Sequence, residues 1–341
     1  MITRAQLHDF GPIHTLDWQP RPGLNVVVGT NGAGKTVLLK ALYVGQRVVE
    51  AQQRGEERRT LTELAAEKLH WTYQCGDFGK LVRRGGPDKA RLELALTEGP
   101  LRIEIEKGAT RQVEVKGRGL VAREANTLFF PAKEVLSMHA AILRGRDELA
   151  AFGFDDTYVD LARALLAPTT RGNNFTEFAG ARDRLKAHFG GRVEMVPGPP
   201  PTWIFKQGNS KVPLGVTSEG VRKIGILDQL LGNRYLSTSS VLLFDEPESA
   251  LHPDAILLLM DILLKLAGAG MQIFLATHSY FVLKALAVLA GEQGTGAEVG
   301  WLSFGDNGST AQGDLRGGLP ENPIIQASID LYNRQIGGWE E

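Results

Sequence analysis

The chain opens on alternation. In "ITRAQLHDF" (2–10) and "IHTLDW" (13–18) apolar residues recur at nearly every second position, the period of a strand with one buried face. "GLNVVVG" (23–29) is apolar almost throughout, as expected of a strand covered on both sides of a parallel sheet. A Gly-rich turn follows, then "KTVLLKALYVGQRVV" (35–49), which reads as a helix, and a polar helical stretch over 50–70. From about 72 to 130 the period returns to two. "ARLELALTEG", "LRIEIEKG" and "RQVEVKG" predict short strands parted by glycine, ahead of the apolar "TLFF" at 127–130. Residues 132–189 predict helices, clearest in "DDTYVDLARALLA" (155–167), and "PGPPPTW" (197–203) ends them. "WIFKQGNSKVPLGV" (203–216) predicts a hairpin turning at Gly208-Asn209. Beyond it the pattern gives a helix to about 232, a strand "SVLLFDEP" (240–247), a helix over 252–267, a strand "MQIFLATH" (271–278), a helix over 279–290 and a strand "EVGWLSFG" (298–305). A last amphipathic helix is expected with Asn322 as its cap and Pro323 in its first turn.

Buried strand, turn and helix in repeated succession argue for an α/β core. The expected organisation is one domain over 1–341. Within it lie an antiparallel β lobe (72–130), a helical lobe (132–200), a half carrying the later strands (201–310) and a C-terminal tail helix (311–341). The 341 residues, 43% of them hydrophobic, suffice for a core of that size. Lys and Arg number 38 against 39 Asp and Glu, so nothing global demands nucleic acid or an anionic membrane. Cys75 is the one cysteine, which excludes an internal disulfide and fits a reducing compartment. "MITRAQLHDF" lacks the apolar centre of a signal peptide. The longest apolar runs, at 255–267 and 280–290, are interrupted by Asp261, Lys265 and Lys284 and are too short or too charged to span a bilayer. The expectation is a cytoplasmic protein without a membrane partner.

Three stretches carry chemistry. "GTNGAGKT" (29–36) matches G-x-x-x-x-G-K-[ST] in full, between a buried strand and a helix. Its glycines let backbone N–H groups turn toward phosphate oxygens, and the helix N-terminus adds partial positive charge. Asn31, Gly32, Ala33, Gly34, Lys35, Thr36 and Val37 form the candidate nucleotide cradle, with Lys35 bridging the β- and γ-phosphates and Thr36 ligating Mg²⁺. "VLLFDEPE" (241–248) ends an apolar strand in two acids, which are costly together without a cation. Asp245 is placed to bind Mg²⁺ and Glu246 to polarise an attacking water. "FLATHSY" (274–280) ends the next strand with His278, which would stand beside Asp245 if the two strands are neighbours. A fourth stretch, "VTSEGVRK" (216–223), puts Ser218, Glu219 and Gly220 at a helix start, where an anion is favoured. A plain helix cap accounts for the serine equally well.

In this order the pieces resemble the ABC-type ATPases, and within them the soluble group around RecF, SMC and OLD proteins. That group includes bacterial AAA family ATP-binding proteins of anti-phage and DNA-maintenance modules. "LHDFGPIHTLDWQPRPGLNVVVGTNGAGKTVLLKAL" resembles the group's N-terminal strands and Walker A. "SVLLFDEPESALHPD" resembles its Walker B and D-loop, and "LATHS" its H-loop. The resemblance implies a P-loop NTPase of ABC type, a mixed sheet with β and helical lobes, ATP and Mg²⁺ as cofactors, and slow hydrolysis to ADP and phosphate. It also implies a homodimer with two ATPs sandwiched, in which Ser218, Glu219 and Gly220 of one protomer read the γ-phosphate of the other while Arg222 and Lys223 add charge. The sequence departs from the pattern in two places. No Gln follows "TLFF", where Lys133 and Glu134 stand, and Gly11 occupies a position often basic in the group.

The function expected is a molecular switch that relays nucleotide state to an effector, a nuclease or toxin supplied by a separate protein, or to DNA, in phage defence or DNA maintenance. The alternative is a RecF-like DNA-binding repair ATPase; a transporter subunit and a non-hydrolysing scaffold fit less well. Nucleic acid stays open as a partner because residues 80–123 hold eleven basic against six acidic side chains, although a solvated hairpin face explains these as well.

Overall fold

The computed structural model describes residues 1–52, 59–169, 175–292, 296–305, 308–321 and 323–337. Strands β1 (Ile2–Phe10) and β2 (Ile13–Trp18) pair antiparallel and turn Leu7, Phe10, Leu16 and Trp18 inward. β3 (Leu24–Val28) is buried along its whole length and runs through the Gly-rich turn into α1 (Lys35–Ala51). α2 (Leu61–Tyr73) begins with a reciprocal cap, in which Thr60 and Glu63 each accept from the other's backbone N–H.

The strands read from 72–130 do not stand apart as a lobe. Of β4 (Lys89–Leu96), β5 (Gly99–Glu106) and β6 (Glu114–Lys116), the first pairs antiparallel with β1 from Ile2↔Leu96 to His8↔Arg91. One five-stranded sheet in the order β2-β1-β4-β5-β6 results. Pairing with β1 extends the sheet and gives its apolar face a larger surface to bury against α1. Leu92, Leu94, Leu101 and Ile103 are buried in one core with α1 and the inner strands. β7 (Thr127–Phe130), expected at the end of that lobe, belongs to the other sheet.

The next region contains α3 (His139–Asp147), α4 (Asp156–Leu165) and α5 (Thr176–Phe189), but it closes with a strand. β8 (Arg192–Val196) joins the expected hairpin, β9 (Thr202–Gln207) and β10 (Ser210–Pro213), in a three-stranded sheet. Then come α6 (Glu219–Gly232), β11 (Val241–Asp245), α7 (Pro253–Gly268), β12 (Gln272–Thr277), α8 (Tyr280–Gly291) and β13 (Val299–Phe304). β14 (Thr310–Asp314) falls inside the expected tail and pairs antiparallel with β13; "TAQGD" is too polar to announce itself, and its bonds are backbone bonds. α9 (Pro323–Gly337) follows, and the cap expected at Asn322 lies outside the described residues.

The central sheet runs β14-β13-β3-β12-β11-β7, parallel except for β14. Alternation within its buried strands splits the core. Val27, Phe129, Leu243 and Phe274 face α1 and the antiparallel sheet, whereas Val26, Val28, Leu242, Phe244 and Leu275 face the helical side. Among the described residues no helix is long and apolar enough to cross a membrane.

Candidate nucleotide site

β3, β12 and β11 are adjacent and parallel, so their C-terminal ends share one edge of the sheet. That edge is where open α/β sheets take ligands. β3 delivers the 29–36 turn. Gly34, at φ +104° just before α1, would bring a Cβ to 3.0 Å from Ile13 Cγ1 and 3.2 Å from Pro12, so conformation and crowding both require glycine there. Asn31 and Gly32 form the exposed tip, and the Ala33 N–H donates to the Thr30 carbonyl (3.3 Å). Val37 is fixed from behind by the Tyr73 hydroxyl, which donates to its carbonyl (3.1 Å).

Lys35 is buried and makes no ion pair among the described residues. Its ammonium donates to the Gly29 and Thr30 carbonyls (2.8 and 2.9 Å), and burial pulls its pKa below the ordinary lysine value. The Thr36 hydroxyl lies 3.0 and 2.9 Å from the two Asp245 carboxylate oxygens, and burial pushes the Asp245 pKa up. A buried cation without an anion, next to a hydroxyl–carboxylate pair, fits Mg²⁺ and a phosphate chain. Mg²⁺ characteristically takes one or two protein oxygens and completes its shell with phosphate and water. No group of three or more His, Cys, Asp and Glu gathers as a metal site of its own among the described residues.

Glu246 sits at φ +48°, a left-handed conformation that costs a non-glycine residue energy and persists only where the surroundings over-determine it. Here they do. Its N–H donates to the Ala276 carbonyl (2.9 Å), and its own carbonyl accepts from Lys223 Nζ (2.9 Å), Ser249 Oγ (2.9 Å) and the Ser249 N–H (3.1 Å). The side chain thereby meets His278, with Nδ1 2.9 Å from Oε1. The two strands are indeed neighbours, and His278 contacts Glu246 rather than Asp245.

The 218–220 turn lies elsewhere. Ser218 Oγ accepts from the Val221 N–H (3.3 Å) as the N-cap of α6, and Ser218 and Glu219 are exposed. Gly220 is buried against the D-loop, where a Cβ would come within 2.8 Å of the Ala250 carbonyl oxygen. No hydrogen bond or ion pair joins 218–220 to 29–37 among the described residues. Arg222 and Lys223 turn inward instead of adding charge beside a phosphate. Arg222 pairs with buried Glu134 (3.3 Å), which also accepts from the Ser137 N–H (3.1 Å). Lys223 spends its three protons on the Ala132 carbonyl (2.9 Å), the Glu246 carbonyl and Ser249 Oγ (2.5 Å), and burial lowers its pKa to about 8.

Sequence reasoning missed three things here: the inward course of Lys223, the role of Glu248, and a charged seam behind the loop. Glu248 Oε1 accepts from Thr277 Oγ1 (2.5 Å), and burial raises the Glu248 pKa. In the seam, Lys40, Tyr43 and Arg47, spaced along one face of α1, meet the acids of "DDTYVD". Lys40 pairs with Asp155 (2.6 Å), Arg47 Nε lies 3.0 Å from Asp160, and the Tyr43 hydroxyl bonds the Asp160 carboxylate. Lys68 bridges Asp156 and Asp160 (2.8 and 3.1 Å). The spacing of the α1 residues was a legible signal; their partners, more than a hundred residues away, were not.

Part of the basic stretch at 80–123 is ion-paired. Lys89 pairs with Glu106, Arg91 and Arg102 with Glu104, and Lys116 with Glu114, while Arg123 is buried beside Glu98.

Comparison with known proteins bears on the family and the fold. The family described as "AAA domain, putative AbiEii toxin, Type IV TA system" matches residues 24–128 and 202–284, which take in the P-loop, both acids, His278 and the 218–220 turn. The DNA replication and repair protein RecF of Shigella dysenteriae serotype 1 (strain Sd197) is 33% identical over 87 residues, 20% of this chain and 24% of that protein. RecF of Xanthomonas euvesicatoria pv. vesicatoria (strain 85-10) is 33% identical over 89 residues, 25% of this chain and 24% of that protein. The chain thus matches about a quarter of the length of these relatives. Among solved structures, an Smc head bound to the C-winged helix domain of ScpA superposes with a TM-score of 0.54 at 12% identity, covering 92% of this chain and 97% of that one. An Smc head with an extended coiled coil, bound to a C-terminal domain of ScpA derived from Pyrococcus furiosus, gives 0.52 at 11% identity, covering 98% of both chains. At such identities the likeness establishes a shared fold.

Proposed function

The chain belongs to the AAA-domain family described as putative AbiEii toxin, Type IV TA system, and on that premise we propose that it is an ATP-binding and hydrolysing switch working as a nucleotide-sandwich homodimer. The observation that carries the reading is the convergence at one sheet edge of Lys35, the Thr36–Asp245 pair and the Glu246–His278 pair. Phosphoryl transfer asks mainly for positioning and charge stabilisation, and this is a sufficient set.

In this mechanism Lys35 exchanges its two carbonyl partners for β- and γ-phosphate oxygens, and the N–H groups at the start of α1 hold the same phosphates. Thr36 and Asp245 would hold Mg²⁺, which when bound would supply charge neutralisation for the phosphates. Glu246, kept in place by its backbone bonds and by His278, orients the attacking water and accepts its proton. Ser218 and Glu219 face outward, free of the chain's own P-loop, with Gly220 packed behind them, as a surface meant for a partner's nucleotide would be. Opening of the dimer after hydrolysis would pass through α6 to a separate effector, a nuclease or toxin in a phage-defence or DNA-maintenance setting.

The test is the mass of Glu246→Gln by light scattering with and without Mg-ATP, beside the same variant carrying Ser218→Arg. ATP-driven dimerisation that Ser218→Arg abolishes is expected. A mass indifferent to both would overturn the sandwich and leave the turn as a helix cap.

The RecF matches favour a second reading, a DNA-binding repair ATPase. It predicts turnover stimulated by duplex DNA with a steep salt dependence. The ion-paired face of the antiparallel sheet speaks against that segment as the contact.

A further inference from the structure

The turn after β11 and the turn after β12 are laced at three points. The Glu246 N–H donates to the Ala276 carbonyl at 2.9 Å, Glu246 Oε1 meets His278 Nδ1 at 2.9 Å, and Glu248 Oε1 accepts from Thr277 Oγ1 at 2.5 Å. The first is a backbone bond that extends the β11–β12 pairing, and the second is the proposed catalytic pair itself. The third is a side-chain bond between residues given no role so far. Thr277 Oγ1 also accepts the Ser279 N–H at 2.9 Å, so one hydroxyl is held by Glu248 on one side and steadies the backbone on the far side of His278 on the other. Ser279 in turn caps α8 by accepting from the Val282 N–H (3.4 Å). The other Glu248 oxygen, Oε2, is buried and has no hydrogen-bond partner. Burying a carboxylate with half its acceptors unused is expensive. A residue with only a packing role would be better served by an apolar or amide side chain.

We propose that Glu248 is a positioning residue for hydrolysis: through Thr277 it fixes the backbone flanking His278, and thereby the geometry of the Glu246–His278 pair. The inference rests on the hydrolytic reading above. Glu248 does not touch the reacting atoms. It acts by preventing the turn that carries His278 from moving away from the turn that carries Glu246. The effect should therefore fall on turnover and leave ATP affinity, which belongs to residues 31–37, intact.

The experiment compares Mg-ATP hydrolysis by the unaltered chain with Glu248→Ala, Thr277→Val, the double variant and Thr277→Ser, with nucleotide binding and thermal melting measured on each. Misplacement of a catalytic group by about 1 Å can cost roughly a hundredfold. A loss in kcat of about ten- to a hundredfold is therefore expected for each single variant, with KM for ATP within about threefold. The double variant should be no worse than the singles, because both remove the same bond, and Thr277→Ser should recover most of the rate. Thr277→Val is nearly isosteric and guards against simple misfolding of the alanine variant. Single variants that turn over like the unaltered chain, or losses that multiply in the double variant, would overturn the inference while leaving ATP hydrolysis standing. An unaltered chain that does not hydrolyse Mg-ATP would overturn the proposed function and this inference with it.

Discussion

Helix α1 handles charge in two opposite ways along its length. At its first residue Lys35 is buried with only two carbonyl oxygens for company, and across the gap Asp245 and Glu248 are acids whose pKa values burial has raised. Further along the same helix, Lys40, Tyr43 and Arg47 are matched against Asp155, Asp156 and Asp160, with Lys68 and Arg146 completing the set. Burial opposes the ionisation of Asp160, and the Lys68 ammonium and Arg47 guanidinium outweigh it, holding that carboxyl well below its ordinary range. The seam is closed and the loop end is open. A protein keeps buried charge unpaired where a ligand is to supply the partner, and pairs it fully where charge only joins elements.

The contrast makes crossed predictions. Glu246→Gln should cost about 10²–10⁴ in hydrolysis rate while leaving ATP binding and thermal stability near those of the unaltered chain; wild-type turnover would refute the role. In the seam, Asp160→Ala should do the reverse. It strands Tyr43, Arg47 and Lys68, and removing one member of a buried ionic set costs about 3–5 kcal/mol of stability, read by urea unfolding, with turnover per folded molecule preserved. A stability unchanged by that substitution would break the distinction.

The same seam has a pH signature. The folded pKa of Asp160 lies below its unfolded value, so its stabilisation is complete above the ordinary aspartate range and is lost as pH falls through that range toward the folded value. Lys223 is shifted in the same direction by a different cause, burial of its ammonium. Its folded pKa of about 8 lies below the unfolded value. Between the two the unfolded chain holds more protons, and the group's contribution to stability rises with pH. The deprotonated amine, however, loses a donor to the carbonyls and hydroxyl around Glu246. Turnover should therefore fall as pH rises through about 8 while stability does not, and Lys223→Arg should flatten the decline. A turnover profile identical in Lys223→Arg would remove Lys223 from the site.

The smallest effect is expected at Ser218. In thermal unfolding of the nucleotide-free chain, Ser218→Ala removes the cap of α6, a loss of about 1 kcal/mol. A much larger loss would mean that the turn supports the fold more than any partner.

Much of this was legible in advance. The P-loop, Asp245, Glu246 and His278 announce themselves because a phosphate-binding turn and a strand-end acid pair are local in sequence, and the glycines and acids cannot be exchanged without losing the geometry. The α6, α7 and α8 helices fell within a residue or two of expectation, since caps such as Ser218, His252 with Pro253, and Ser279 are local too. The pairing of β4 with β1 was not legible because both strands carry the same alternating pattern, and alternation identifies a strand without identifying its neighbour.

What the sequence determined by itself, then, was every feature whose cause lies within a few residues: periodicity, capping, and the turn that wraps a phosphate. What only the tertiary structure decided was the partner of each charge. Lys223 turns inward to Ala132, Glu246 and Ser249, Glu248 reaches Thr277, and "DDTYVD" closes on α1. Charge pairing depends on distances of a few ångströms between segments brought together by burial of apolar faces, and the same side chains in sequence are compatible with many pairings until those faces have packed.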